Sequence, residues 1–325
     1  MKAILIREPG TPEVLTLSEV ADPAPGDEEI LVRNRATALN RADVLQRLGF
    51  YPPPPGASEV PGLECAGEVE SIGRGVKRFR PGDRVFALLP GGGYAEKVTV
   101  AADVAMPIPA GLTFEQAAAV PEVFMTAYDN LVNHGRLEAG GWALVHGGGS
   151  GVGTAAIQVA RRRGARVAVT VGSKEKAERC LALGADVAIN YREEDFQARA
   201  MEITRKRGMD VVLDIMGAEY LERNLRSLAL EGRLVVIAAQ GGLVAELNLG
   251  LMLGKRLTIQ ATTLRARSVA YKARLARQLE TDVLPGLSDG SIKPVVDRVF
   301  PLAEAAEAHR LMESNAHFGK IVLRI

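Results

Sequence analysis

The chain has 325 residues, 47% of them hydrophobic and 24% charged, with a net charge of +1. Such a composition belongs to an ordinary globular protein long enough for two domains, and the balanced charge gives no global attraction to nucleic acid or an anionic membrane. Two distant cysteines (Cys65, Cys180) and four histidines (His134, His146, His309, His317) form no metal-ligand spacing, and the first residues hold too few apolar positions before Arg7 for a signal peptide, so a reduced, cytoplasmic protein is expected.

Residues 3–6, 29–33, 67–72, 84–88 and 95–100 are apolar or alternating runs, and Pro- and Gly-bearing segments at 22–26, 52–56, 81–82 and 90–93 separate them. This spacing predicts short strands in a β-rich domain, interrupted by one helix over 40–48 with Ala42, Val44, Leu45 and Leu48 apolar. From about Gly141 strands and helices alternate. Strands are predicted over 142–145, 167–171, 187–189, 211–215, 234–238 and 257–261, and helices over 151–163, 174–183, 195–205 and 221–228. Apolar strands separated by helices imply an α/β domain with a doubly wound parallel sheet. A long amphipathic segment, 269–287, and strands over 295–300 and 320–324 follow. The order predicts one domain inserted into another: 1–120 and 265–325 form the β-rich domain, and 121–264 the inserted one.

The stretch 143–160, ALVHGGGSGVGTAAIQVA, passes from an apolar strand through a glycine turn into a helix. Backbone N–H groups of Gly147, Ser150, Gly151, Val152 and Gly153 are thereby placed to hold a pyrophosphate. About twenty residues beyond such a turn, an NAD site carries an acid for the ribose hydroxyl. Here the second strand ends in Gly172-Ser173-Lys174-Glu175-Lys176, with no acid first and two lysines to attract a 2′-phosphate. NADPH is therefore the expected cofactor, with Gly172, Ser173 and Lys176 at its phosphate. A plain solvated helix start is the alternative. Met216, Gly217, Ala239, Gln240, Gly241, Thr263, Leu264 and Arg265 fall at later strand ends, where ligands of open α/β sheets bind, and Arg265 is the expected charged contact. His146 reads as a structural or cofactor-adjacent histidine, and Lys255 and Arg256 as the polar lead-in to the last strand.

Gly62-Leu-Glu64-Cys-Ala-Gly67-Glu-Val69 is followed in order by Pro81-Gly-Asp83-Arg-Val85, Gly93-Tyr94-Ala95-Glu96, Pro121 to Tyr128, and Phe318-Gly319-Lys320-Ile321-Val322. These pieces resemble the medium-chain dehydrogenase/reductase superfamily in its zinc-free quinone oxidoreductase branch. Asn40 to Asp43 and Tyr51 to Ser58 are especially similar to the stress-inducible NADPH:quinone oxidoreductases and their zeta-crystallin relatives. The resemblance implies a Rossmann-type domain inserted into a GroES-like catalytic domain, with hydride transfer from NADPH to a quinone or other conjugated carbonyl. It also implies a homodimer formed through the edge strand 255–264. It carries over Thr126, Tyr191, Phe318, Gly319 and Lys320 as further cofactor-binding residues, and Asn40 and Tyr51 as catalytic ones.

Zinc-dependent members place a cysteine where Asn40 stands, a histidine where Leu63 stands, and four cysteines in a structural lobe. Without these a metal-stabilised alkoxide has no support, which narrows the substrate to conjugated carbonyls. Asn40 is expected to donate to the substrate carbonyl or to cap the following helix, and Tyr51 to donate or to anchor the proline-rich turn. Asp43 is expected to support the helix start, and Glu64 to be a buried carboxylate paired with an arginine. Ser150 either bonds a phosphate or ribose or fills space. Two rivals stand beside quinone reduction: an enone or enal double-bond reductase using the same cleft, and an NADPH-binding RNA-binding or crystallin-like structural protein. The lack of a basic, aromatic-rich stripe argues against nucleic acid as a partner.

Overall fold

A computed structural model describes residues 1–325. Residue contacts divide the chain into Met1–Met125 with Leu264–Ile325, and Thr126–Thr263. The first junction falls inside helix Pro121–Tyr128 rather than ahead of it, and the second before Leu264 rather than after it. No helix is long and apolar enough to cross a membrane.

The first unit is organised by one ten-residue strand, Glu29–Ala38. Its first half pairs antiparallel with Lys97–Ala101, its last residues with Lys320–Arg324, and most of its length with Glu64–Ile72. Register shifts between Leu31 and Val32 and between Asn34 and Ala36 bend it from one set of partners toward the other. Arg84–Leu88, Met106–Pro107 and Val296–Pro301 complete the sheet, and Lys2–Ile6 with Leu15–Glu19 forms a separate antiparallel pair. Ile30 and Val32 bury against Val69, Val85, Val98 and Val100. A second cluster joins Leu39, Val44, Tyr94 and Ile321 to Ala308 and Met312 of helix Ala305–Ser314. Neither that helix nor strand Leu15–Glu19 is predicted from the sequence. The segment 269–287 is two helices, Val269–Asp282 and Leu284–Asp289, because Pro285 has no N–H to continue the ladder.

The second unit carries six parallel strands in the spatial order Val187–Asn190, Arg166–Val171, Trp142–His146, Met209–Asp214, Leu228–Val236, Thr258–Ala261. Val167 to Val171 is apolar on both faces because helices cover both sides. Ala143 stands between Val167 and Val211, and Val145 between Val169 and Leu213. The chain builds outward from Trp142–His146, then restarts on its other side with Met209–Asp214. In open α/β sheets ligands bind outside the carboxyl ends of the strands at such a reversal. Helices Gly151–Arg162, Lys174–Leu183 and Phe196–Ile203 each begin on a side-chain cap: Ser150, Ser173 and Asp195. Lys255 and Arg256 are not a strand lead-in. Lys255 closes a helix, Leu249–Lys255, and donates to the carbonyls of Arg226 (2.8 Å) and Leu228 (2.7 Å), satisfying the end of helix Leu221–Ser227.

His146 ends the central strand and is buried between three elements. Thr170 Oγ1 accepts from the Gly147 N–H (3.3 Å) and donates to His146 Nδ1 (3.0 Å), while His146 Nε2 donates to Asn224 Oδ1 (2.7 Å). Phe196 and Tyr220 pack edge-on against the ring at 4.8 and 5.0 Å. Its role is structural: it ties the glycine turn to helix Leu221–Ser227. Burial holds its pKa down from 6.5 to about 4. The unfolded chain therefore binds a proton between those values that the folded chain refuses. The stability this site contributes is complete above pH 6.5 and is lost as pH falls toward 4, by on the order of 3 kcal/mol. Urea unfolding across this range should show the loss, and His146→Gln should flatten the slope while lowering stability at neutral pH.

Candidate functional site

Glu64 and Lys320 each begin a strand, and their side chains are 0% and 3% exposed. The Lys320 ammonium lies 2.8 Å from Glu64 Oε1 and donates to Leu39 O and Asn40 Oδ1, both at 2.6 Å. Its three protons thus meet three acceptors. Asn40 Nδ2 donates to Glu64 Oε1 at 2.9 Å and to Ala38 O at 3.3 Å. Glu64 Oε2 accepts the N–H of Glu122, in the first turn of helix Pro121–Tyr128, at 2.9 Å. An ammonium can only donate, so the amide oxygen of Asn40 must face Lys320 and its nitrogen Glu64. Three expectations change here. The partner of Glu64 is Lys320 rather than an arginine, because pairing of Lys320–Arg324 with Glu29–Ala38 brings Lys320 beside Asn40. Lys320 has no donor left for a cofactor. Asn40 has both N–H groups engaged within the protein, so it cannot donate to a substrate carbonyl without giving one up.

Asn40 also precedes helix Arg41–Arg47, but the side chain that reaches across the first turn is that of Asp43. It accepts from the N–H of Asn40 (2.8 Å) and of Gly62 (3.1 Å). Tyr94 Oη donates to Asp43 Oδ2 at 3.4 Å and lies 3.2 Å from His309 Nε2, and His309 Nδ1 lies 3.3 Å from Arg47 Nη1. A guanidinium cannot accept, so Nδ1 is the acceptor and Nε2–H donates to Tyr94. Arg47 is anchored in turn by Glu313 at 2.6 and 3.0 Å. Burial, then Arg47, hold the His309 pKa down to about 3, so the ring is neutral. Burial pushes Asp43 up to about 6.

Arg265 is buried, and its guanidinium donates to Pro90 O (2.7 Å), Tyr51 O (3.1 Å) and Gln46 Oε1 (2.7 Å). It ties Gln46 of helix Arg41–Arg47 to the segments at Tyr51 and Pro90, an engagement within the protein that the sequence does not reveal. Lys272 Nζ donates to Arg265 O at 2.7 Å. The Arg265 guanidinium lies over the half-buried Tyr51 ring, 5.3 Å from its centroid. Burial and the Glu122 carboxyl raise the Tyr51 pKa, and no protein acceptor takes its hydroxyl, which leaves a neutral donor. Leu264 and Phe318 are buried apolar residues of the same unit, with the Phe318 N–H on Asp297 Oδ1 at 3.0 Å, and Gly319 packs against Val295.

The remaining candidates belong to the second unit. The turn closes through Ser150 N–H to Gly147 O (2.9 Å) and is held to the next strand by Gly148 N–H to Thr170 O (2.9 Å). A Cβ on Gly153 would stand 2.3 Å from Gly147 O, so only glycine lets the helix start this close to the turn. Ser150 Oγ accepts the Gly153 N–H at 3.0 Å; the cap uses a lone pair and leaves its own O–H free to donate. In the first turn, the N–H groups of Gly151 and Val152 have no intrahelical acceptor. At the next strand end the Tyr191 hydroxyl lies 2.6 Å from where a Gly172 Cβ would stand, so Tyr191, Gly172 and Ser173 come together; Ser173 caps the Lys176 N–H at 3.3 Å. Met216 and Gly217 are laced to Ala239–Gly241 by Gln240 N–H to Ile215 O (3.0 Å) and Gly241 N–H to Met216 O (2.8 Å). Thr126 O accepts from Asn130 Nδ2 (2.8 Å), whose Oδ1 accepts from Thr262, the neighbour of Thr263, at 2.6 Å.

The zinc-binding dehydrogenase family model matches residues 183–323, and the alcohol dehydrogenase GroES-like domain model matches residues 26–110. Quinone oxidoreductase of Rattus norvegicus is 34% identical over 326 residues, covering 99% of this chain and 97% of the relative. A solved structure of Escherichia coli quinone oxidoreductase complexed with NADPH has a TM-score of 0.90 at 34% identity, and one of an NAD-dependent alcohol dehydrogenase has 0.89 at 35%; each comparison covers 100% of both chains. A Rossmann-like parallel sheet with a GroES-like β-rich domain makes this protein an NAD(P)H-dependent oxidoreductase of the medium-chain dehydrogenase/reductase superfamily. Within the superfamily, the chain belongs to the zeta-crystallin-like quinone oxidoreductase family.

The residues present do not fit the zinc ion of the first family's description. No three His, Cys, Asp or Glu side chains converge, Leu63 is buried and apolar, and the Lys320 ammonium already neutralises Glu64 and would repel a cation. Reading by residue type overlooked Glu122, Lys272, His309 and the pairing of Lys320. One signal was available: Lys320 and Glu122 are charged residues set inside apolar runs, and charges are seldom buried unless paired. Lys320→Met should strand the Glu64 charge and cost about 3–5 kcal/mol in urea unfolding. Adding Glu64→Gln should recover much of that loss, and equal losses in the single and double variants would show that the pair is not coupled.

Proposed function

We propose that the protein is an NADPH-dependent quinone reductase that works without a metal. The observation that carries this reading is the ammonium of Lys320 on Asn40 and Glu64, at the position where zinc-dependent members of the superfamily carry ligands. With no Lewis acid there, a substrate must spread developing negative charge through its own conjugation, as a quinone does. NADPH, when bound, supplies a hydride. The N–H groups of Gly151 and Val152 and the Ser150 hydroxyl receive its pyrophosphate. Gly172, Ser173, Lys176 and Tyr191 receive the 2′-phosphate, where the absence of an acid avoids like-charge repulsion. Thr126, Met216, Gly217, Ala239, Gln240, Gly241 and Thr263 are the further contacts at the strand ends. Tyr51 donates to the substrate oxygen on which charge develops, and Asn40 keeps the neighbouring strand end in register with Lys320.

Two copies join through the edge of the six-stranded sheet. Thr258–Ala261 pairs on one side only, and Leu243, Val244 and Leu253, close to it in sequence, are 79% or more exposed. An unpaired edge and exposed apolar side chains of this kind are what a second chain covers. Sedimentation should give a dimer at micromolar concentration, and Ile259→Pro should give a folded monomer; a wild-type monomer rules the interface out.

Steady-state turnover with NADPH and NADH, on benzoquinone and on an enal, tests the activity. NADPH with the quinone should be the fastest pair, and Ser173→Asp, which retains the helix cap, should narrow the preference over NADH. Tyr51→Phe should lower kcat by about tenfold, less than the ~10²–10³ of a tightly preorganised oxyanion hole, with KM for NADPH unchanged. Equal use of NADH refutes the phosphate assignment, and an unchanged kcat in Tyr51→Phe refutes the donor.

A further inference from the structure

Helix Pro121–Tyr128 begins beside two carboxyl groups, Glu64 and Glu122, with opposite hydrogen-bond surroundings. Glu64 takes three donors: Lys320 Nζ and Asn40 Nδ2 on Oε1, and the Glu122 N–H on Oε2. Each of its two oxygens thus has a donor. Glu122 has the reverse environment: its Oε2 is shut off from solvent and meets no hydrogen-bond partner. Buried polar atoms are almost always paired, so this oxygen calls for an explanation, and a catalytic role is one of the few available. Glu64 acts on Glu122 as a like charge, and two neighbouring buried carboxyl groups cannot both carry charge at low cost. Glu64 holds the donors, so the proton rests on Glu122.

The groups that act on Glu122 come from every element around it. Glu64 and Asp43 oppose its ionisation, Lys320, Lys272 and Arg265 favour it, and the Tyr51 phenol is within its electrostatic reach. Burial, followed by Glu64, prevails and pushes its carboxyl up to about 8. Asp43 is pushed only to about 6, and Tyr51 is raised above its ordinary alkaline range, so neither titrates near 8.

We propose that Glu122 is the proton-holding residue of this active site, replacing the proton that Tyr51 gives to the reduced substrate. The proposal rests on the reductase reading. In the step, the conjugated carbonyl accepts hydride and is reduced by two electrons while NADPH is oxidised to NADP⁺. An O–H bond forms on the substrate oxygen as the Tyr51 O–H breaks. The Glu122 O–H then breaks, its proton passes through intervening water to restore the Tyr51 O–H, and the Glu122 carboxylate regains a proton from solvent before the next turnover. Glu122 acts through Tyr51 and is therefore a positioning and proton-supplying group, not a contact of the substrate.

Two measurements test it. In the first, kcat with benzoquinone and NADPH is followed through the neutral and alkaline range. Wild type should be level below about pH 8 and fall about tenfold per pH unit above it. Glu122→Gln should lose about tenfold or more in kcat and lose the break near pH 8, with KM for NADPH unchanged. Glu122→Asp, which retains an acid, should recover an alkaline break. In the second, infrared difference spectra of the enzyme without substrate should show a protonated-carboxyl band that titrates near 8 and is missing in Glu122→Gln. A break that survives Glu122→Gln, or a wild-type enzyme with no such band, overturns the proposal. Turnover absent with every quinone and enal while the band is intact counts against the reductase reading and for the proton on Glu122.

Discussion

The buried ion pair between Glu64 and Lys320 is the contact on which the first unit's chemistry depends. Taking two charges out of water costs several kcal/mol per ion, and the mutual attraction repays that only when every remaining proton and lone pair finds a partner. Here Lys320 satisfies its protons on Leu39 O, Asn40 and Glu64, and Glu64 completes its shell with Asn40 and the Glu122 N–H. Four segments far apart in the chain are fixed to one another in consequence. The orientation of the Asn40 amide and the anchoring of the first turn of helix Pro121–Tyr128 follow from that requirement. The same pair sets an ammonium beside Glu64 and Asn40, a charge that would repel a cation there.

A second device recurs in both units, a buried histidine that is neutral and directional. His309 accepts from Arg47 and donates to Tyr94, which donates to Asp43, which fixes the N–H groups of Asn40 and Gly62. His146 accepts from Thr170, which receives the Gly147 N–H, and donates to Asn224. Each ring relays the position of a packed helix to a loop that belongs to the site. Neutrality suits this use, because protonation would turn the accepting nitrogen into a second donor facing Arg47 or Thr170.

The strands and helices of the second unit are legible in the sequence because their signals are local. Val167 to Val171 reads as a strand buried on both faces, and the glycines of 147–153 as a turn into a helix, with no knowledge of what lies beside them. Leu249–Lys255 is invisible to periodicity, since LGLMLGK has no polar face until its last residue. Ala305–Ser314 is short and lies between two strands of one sheet, where an amphipathic stretch reads equally well as a connection. The break at Pro285 could be read from the chain, but the apolar pattern on either side of it masks the interruption.

The candidate site divides along the same line. Sequence alone determined the strand–turn–helix cradle, the missing acid after the second strand and the absent zinc ligands, because each depends on residues close together in the chain or on a residue type at one position. Only the tertiary structure decided which charges are partners. It put Lys320 rather than an arginine on Glu64, turned Arg265 into a staple for Tyr51, Gln46 and Pro90, engaged the Asn40 amide within the protein, and left the Glu122 carboxyl without a partner. The physical reason is range. Backbone propensity and apolar periodicity act over a few residues, whereas a buried charge is settled by whatever donor or acceptor the sheet pairing brings within hydrogen-bond distance. Here that pairing joins residues 36–38 to residues 322–324.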